Sequence, residues 1–238
     1  MYFTDYKQLH QIWNHPEWID SKKLWLDLKK DYPNVQSACG NCLERCLLDN
    51  DEGLKACLMK KDTSFFEMIY LKYGRWKYTQ YNHFSRYVKK AINKTNQEKL
   101  QVVKRIREYY EHVLNDDFLD EEETKKLISK GLEMNELLSG IGVAGMSGIL
   151  ALLLSEKFGV VDSFVAKALN NVRGDIVKDP KDIKIAEAVN MEWIYLQTAR
   201  VLNDLEVGTA HWIPRDVDKA LWSYRVKTSA EYQLRCKR

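Results

Sequence analysis

Apolar residues recurring every three and four positions constrain this chain more than any other feature, because that spacing lines one face of a helix and cannot line one face of a strand. The longest run is Asp182 to Leu202, where Ile185, Val189, Trp193, Leu196 and Ala199 share a face. A further helix is expected from Pro214 onward, carrying Val217, Leu221 and Tyr224, with the proline suited to the first turn. A short helix is expected over Asp120–Lys130. Acidic Asp120 to Glu123 open it, Lys125, Lys126 and Lys130 follow, and Gly131 is expected to end it. With only 11 glycines and 4 prolines in 238 residues, and no sustained period-two alternation, the expected fold is all-α.

Hydrophobic content of 45% beside 30% charged residues is that of a globular chain and excludes disordered and collagen-like classes. The 37 basic and 34 acidic side chains leave a net charge of +3, so a polyanionic partner has to be met by a local patch. Trp13, His15, Glu17, Trp18 and Asp20 stand where a secretory signal needs an apolar core, which points to a cytoplasmic protein. Leu137 to Ser155 is uncharged, but Ser139, Gly140, Gly142, Gly145, Ser147 and Gly148 break its first half, so no membrane span is expected.

Charge is arranged in blocks. Between Met68 and Gln97 there is no acidic residue. Lys72, Arg75, Lys77, Arg86, Lys89, Lys90 and Lys94 alternate there with Tyr70, Tyr73, Trp76, Tyr78, Tyr81, Phe84 and Tyr87. Two readings are open: cations that neutralise phosphates beside rings that stack on bases, or amphipathic helices whose rings are core and whose cations are solvated. Arg75, Trp76 and Lys77 are the candidate DNA contacts of this block, and Trp76, Tyr78 and Tyr81 the candidate walls of a base pocket. The acidic block Asp116 to Glu123 has to face away from any phosphate.

The segment Leu138-Ser139-Gly140-Ile141-Gly142 separates a short amphipathic helix from an apolar one starting near Val143. Two glycines around one aliphatic residue suit a tight turn, with Ile141 anchored inward and free amides at the next helix start facing an anion. Downstream stands Gly159-Val160-Val161-Asp162-Ser163-Phe164-Val165-Ala166-Lys167. In these two motifs and their spacing the chain resembles the helix-hairpin-helix DNA glycosylase superfamily over about Glu133 to Leu169. The resemblance implies a two-lobed helical fold, double-stranded DNA as partner, and excision of a modified or mispaired base. It places Asp162 as the catalytic carboxylate, and Gly140, Ile141, Gly142, Val143, Ala144 and Lys167 as DNA contacts. Bifunctional members carry a lysine where this chain has Ala144, so hydrolysis without strand cleavage is implied, with no cofactor required for the chemistry. Ser139 stands where a proline is common, and Gly145-Met146 where Thr-Ala is usual.

The residues also carry plainer readings. Asp162 before Ser-Phe-Val is an ordinary helix N-cap, and both roles are compatible. Lys167 is a solvated helix lysine or a phosphate contact. A non-catalytic hairpin module that binds DNA or another partner remains the alternative. Cys39, Cys42, Cys46 and Cys57, with two, three and ten residues between them, suit zinc or an iron-sulfur cluster, or serve as small hydrophobes among Leu43, Leu47, Leu48, Leu54 and Leu58. The expected organisation is an N-terminal helical region over 1–114, a hairpin lobe over 115–202, and a C-terminal helix within 203–238 that packs back on the first region.

Overall fold

The computed structural model describes residues 21–35, 38–78, 81–173, 176–204 and 211–227. The N-terminal stretch that bears on a secretory signal lies outside them. Every regular element is helical, with no strand among the described residues. In chain order these are α1 (Ser21–Val35), α2 (Ala38–Leu47), α3 (Leu54–Met59), α4 (Ser64–Met68), a π-helical turn (Ile69–Tyr73), α5 (Gly74–Lys77), α6 (Tyr81–Ile92) and α7 (Asn96–Leu114). They continue with α8 (Glu121–Glu133), a 3₁₀ turn (Met134–Leu137), α9 (Val143–Leu153), α10 (Ser163–Arg173), α11 (Ile185–Asp204) and α12 (Pro214–Lys227). None of the described helices is long and apolar enough to cross a membrane.

The chain divides into two compact units, Met1–Val35 with Glu156–Arg238, and Gln36–Ser155. The sequence reading divides the chain after residues 114 and 202 instead. The observed division follows from α12, which packs on α1, α10 and α11 and so draws the two ends of the chain into one core. That unit is centred on Trp25, Phe158, Tyr195, Trp212, Val217 and Leu221, all almost fully buried. Asp216 holds Lys29 of α1 at 2.7 Å. The Lys29 ammonium also lies 4.7 Å from the centroid of the Trp212 ring.

α11 starts close to where the periodicity expects, and Val189, Trp193, Leu196 and Ala199 are buried as expected. Its burial is wider than one face, since Ala188, Met191, Glu192, Ile194, Tyr195, Thr198, Val201 and Leu202 are covered as well. It is a core helix and not a surface one.

In the other unit, α7 packs on α3 and α4, and α9 on α3 and α8. Its core includes Leu54, Phe65, Ile69, Tyr73, Ile106, Ile128 and Ile149. The Asp120 carboxylate caps α8 by accepting the Glu123 amide at 2.7 Å, as its position suggests. Gly131, expected to stop that helix, lies inside it. Its missing side chain leaves room for Tyr109, whose hydroxyl sits 2.3 Å from where a Cβ would stand and donates to Leu127 O at 2.8 Å.

Candidate functional site

The hairpin is built in the Gln36–Ser155 unit. Leu138 and Ile141 are buried, and the Ile141 amide donates to Leu138 O at 3.0 Å, closing the turn around Ser139 and Gly140. Gly140 has φ +78°, a conformation that favours glycine, whereas Gly142 has φ −83° and caps α9 in an extended conformation. α9 begins at Val143, and the amides of its first turn have no carbonyl within the helix to accept them. Gly140 and Gly142 are exposed, Val143 and Ala144 half-buried, so this helix start opens to solvent. A Cβ on Gly142 would meet nothing within 4 Å, which leaves room for a close ligand.

Four tyrosines of the basic block, Tyr70, Tyr73, Tyr78 and Tyr87, pack on this turn and the start of α9. Tyr70, buried, donates to Ser139 O at 3.0 Å. Tyr73, fully buried on the π-helical turn, donates to Gly145 O. Its hydroxyl occupies the position 2.3 Å from a Cβ on Gly148. The Tyr78 hydroxyl stands 2.4 Å from where a Gly145 Cβ would be, and the Tyr87 ring 2.2 Å from a Gly140 Cβ. Burial pushes the Tyr78 hydroxyl up to about 12, with the nearby Gly142 amide opposing the shift, so it stays protonated at neutral pH. The π-helical turn fits this task, since its wider winding changes the direction in which successive rings emerge.

Tyr70 and Tyr73 therefore follow the core reading, while Lys94 is bonded within the fold, its ammonium donating to Leu137 O at 3.5 Å. Arg75, Lys72, Lys89 and Lys90 are exposed, and Lys77 and Trp76 are half-buried. The Trp76 ring leans on Tyr73, with centroids 5.7 Å apart. Arg75, Trp76 and Lys77 sit between Tyr73 and Tyr78, so the segment carrying them is tied to α9 at both ends. The Tyr81 side chain lies outside the described ones.

Asp162 belongs to the other unit and caps α10. Its Oδ1 accepts the Phe164 amide at 2.8 Å and the Val165 amide at 2.9 Å. Among the described residues no donor reaches Oδ2. Asp162 is half-buried, and Phe164 beside it exposes 42% of its surface while its ring lies 6.1 Å from that of Trp222. Val160 and Val161 on the approach are buried. Lys167 is half-buried on the second turn of α10.

The turn before Asp162 is held by groups that spacing alone does not reveal. Glu192 accepts the Gly159 amide at 2.8 Å and Asp218 the Val160 amide at 2.5 Å, both carboxylates being buried. Arg215 pairs with Asp218 and donates to the Tyr32 hydroxyl at 3.1 Å. Arg215 and Asp218 thus form a polar pair buried inside the unit, while Asp216 pairs with Lys29 instead. Burial pushes Asp218 up to about 7, against the opposing pull of Arg215 and of the Val160 amide.

Cys39, Cys42 and Cys46 are exposed, while Cys57 is buried with its thiol donating to Glu52 O at 3.6 Å. Among the described residues no group of three or more His, Cys, Asp or Glu side chains is arranged to hold a metal ion. Cys57 fills core space beside Leu54 and Leu58, which accounts for it as a small hydrophobe. No family model, no curated protein and no solved structure matches the chain.

Proposed function

We propose that this chain is a cytoplasmic DNA-binding base-excision protein that hydrolyses the N-glycosidic bond of a modified or mispaired base without cutting the strand. One observation carries the proposal: Asp162 gives one carboxylate oxygen to the α10 cap and keeps the other without a donor among the described residues. The cap fixes the carboxylate while the second oxygen remains available to a substrate. In the proposed reaction the C1′–N bond breaks, its electron pair leaves with the base, and Asp162 stabilises the oxocarbenium character of the sugar. A water oxygen then adds to C1′ and its proton passes to the departing base or to solvent. Ala144 offers no amine for a Schiff base, so no lyase step follows. The hairpin amides at the start of α9 would receive duplex phosphate.

The test uses labelled duplexes carrying alkylated, deaminated, oxidised or mispaired bases, incubated with the protein and with Asp162→Asn and then treated with hot alkali. Breaks that need both the wild-type carboxylate and alkali support the proposal. A second reading, a non-catalytic hairpin module that binds DNA, is favoured by the intact exposed turn and, separately, by the cap role of Asp162, which needs no catalysis. It predicts salt-dependent duplex binding by both proteins and no base release by either.

A further inference from the structure

The strongest feature left over is the pair of buried carboxylates behind the Asp162 turn. Glu192 is on α11 and Asp218 on α12, and each accepts one of two successive amides, those of Gly159 and Val160. Tyr195 closes the same space: a Cβ on Gly159 would lie 2.5 Å from its Cδ2 and 3.0 Å from Asp218 Oδ2. The Tyr195 hydroxyl donates to Val160 O at 3.4 Å. Two helices, α11 and α12, thus fix the backbone entering Asp162, and the α10 amides fix its side chain.

Burying two carboxyl groups against two successive amides is costly even with Arg215 paired to Asp218, because a neutral acceptor would satisfy the amides with far less desolvation. Whenever it is ionised, such a carboxyl group gains over a neutral acceptor in the strength and directionality of its hydrogen bonds. Those are properties of a turn that must be held in one place, not merely folded.

We propose that Glu192 and Asp218 are positioning residues for Asp162, clamping the Gly159–Val160 amides so that the Asp162 carboxylate holds one place at the mouth of α10. The proposal rests on the reading of Asp162 as the reacting carboxylate. Misplacing such a group by about 1 Å costs on the order of 100-fold in rate.

The experiment compares Glu192→Ala with Glu192→Gln, which keeps an acceptor for the Gly159 amide. It adds Asp218→Ala combined with Arg215→Leu, so that no buried guanidinium is stranded. Three quantities are read: the single-turnover rate of base release, the Kd for the same duplex, and amide hydrogen exchange across residues 159–165. Expected are a rate loss on the order of 10- to 100-fold in the two alanine variants, an unchanged Kd, faster exchange confined to residues 159–165, and recovery of rate and protection in Glu192→Gln. Wild-type rates in the alanine variants, or a rate loss matched by lost duplex binding, overturn the proposal. Failure of both alanine variants to fold does so too, since the clamp is then only structural. If the wild type releases no base from any duplex, the Asp162 reading fails by itself. Exchange then judges the clamp alone: local deprotection in the alanine variants supports it, and unchanged protection ends it.

Discussion

Replacing Gly148 by alanine tests whether the tyrosines of the π-helical segment set the sequence of α9. The added methyl would stand 2.3 Å from Tyr73 Oη and 3.3 Å from Cζ. The first distance is far inside contact and the second only slightly tight, so the hydroxyl and not the ring is the obstacle. Tyr73 has no free side to move into, being fully buried with its hydroxyl donating to Gly145 O. Overpacking of this kind costs about 1–3 kcal/mol, and loss of the hydrogen bond about 1 kcal/mol. Removing a glycine from a helix interior returns about 0.5–1 kcal/mol. Gly148→Ala should therefore destabilise the protein by about 1–3 kcal/mol. Tyr73→Phe alone should cost about 1 kcal/mol. In the double variant the methyl takes the place of the hydroxyl, so its stability should match Tyr73→Phe alone. That leaves a coupling energy of about 1–3 kcal/mol. Urea unfolding followed by tryptophan fluorescence and by helical circular dichroism measures all four proteins. Additivity of the two single changes within about 0.5 kcal/mol would refute the reasoning.

Gly140→Ala forces a side chain into φ +78° and against the Tyr87 ring, and should cost about 1–3 kcal/mol in unfolding free energy. Tyr87→Ala should relieve only the steric part, so a full rescue would contradict the backbone argument. Asp162→Ala removes the α10 cap and should lose about 0.5–2 kcal/mol, whereas Asp162→Asn keeps an acceptor and should lose little. Equal losses in urea unfolding would show that the cap bonds contribute nothing. Asp218 has a folded value of about 7 against an ordinary 3.8. Between those values the folded protein holds a proton that the unfolded chain has released, so its contribution to stability falls as pH rises through that window and levels off above it. Asp218→Asn should remove that slope from stability measured between about pH 4 and 7, and an identical slope in both proteins would contradict the assignment.

The helical class was legible because the periodicity of α11, the Asp120 cap of α8 and Pro214 at the start of α12 are all local signals. The start of α9 at Val143 and the inward Ile141 were legible for the same reason, as a glycine pair around an aliphatic residue dictates its own geometry. Gly131 misled because a glycine after lysines has the pattern of a helix stop, and its real partner, Tyr109, comes from a different helix. The aromatic block could not be resolved from spacing, since rings at helical intervals serve a core and a stacking surface alike. The clue available was the abundance of 13 tyrosines beside the glycines. Gly131, Gly140, Gly145, Gly148 and Gly159 each meet a tyrosine. The carboxylates of Glu192 and Asp218 gave no signal, because their partners are backbone amides 33 and 58 residues away.

The seats that α9 offers to Tyr73 and Tyr78 bear on the order in which this part of the molecule assembles. α9 is only 11 residues long and contains Gly145 and Gly148, so it falls below the length and propensity at which a helix stands by itself. Its partners were synthesised 69 to 72 residues earlier, as the Tyr70–Ser139 and Tyr73–Gly145 contacts show. The bonds from Tyr70 and Tyr73 to this part of the chain therefore each close a long loop, whereas the packing of α9 on α8 is local. A peptide spanning Leu138 to Leu153 should stay unstructured in water, and the turn cannot be grafted onto another scaffold unless the tyrosine-bearing π-helical segment travels with it.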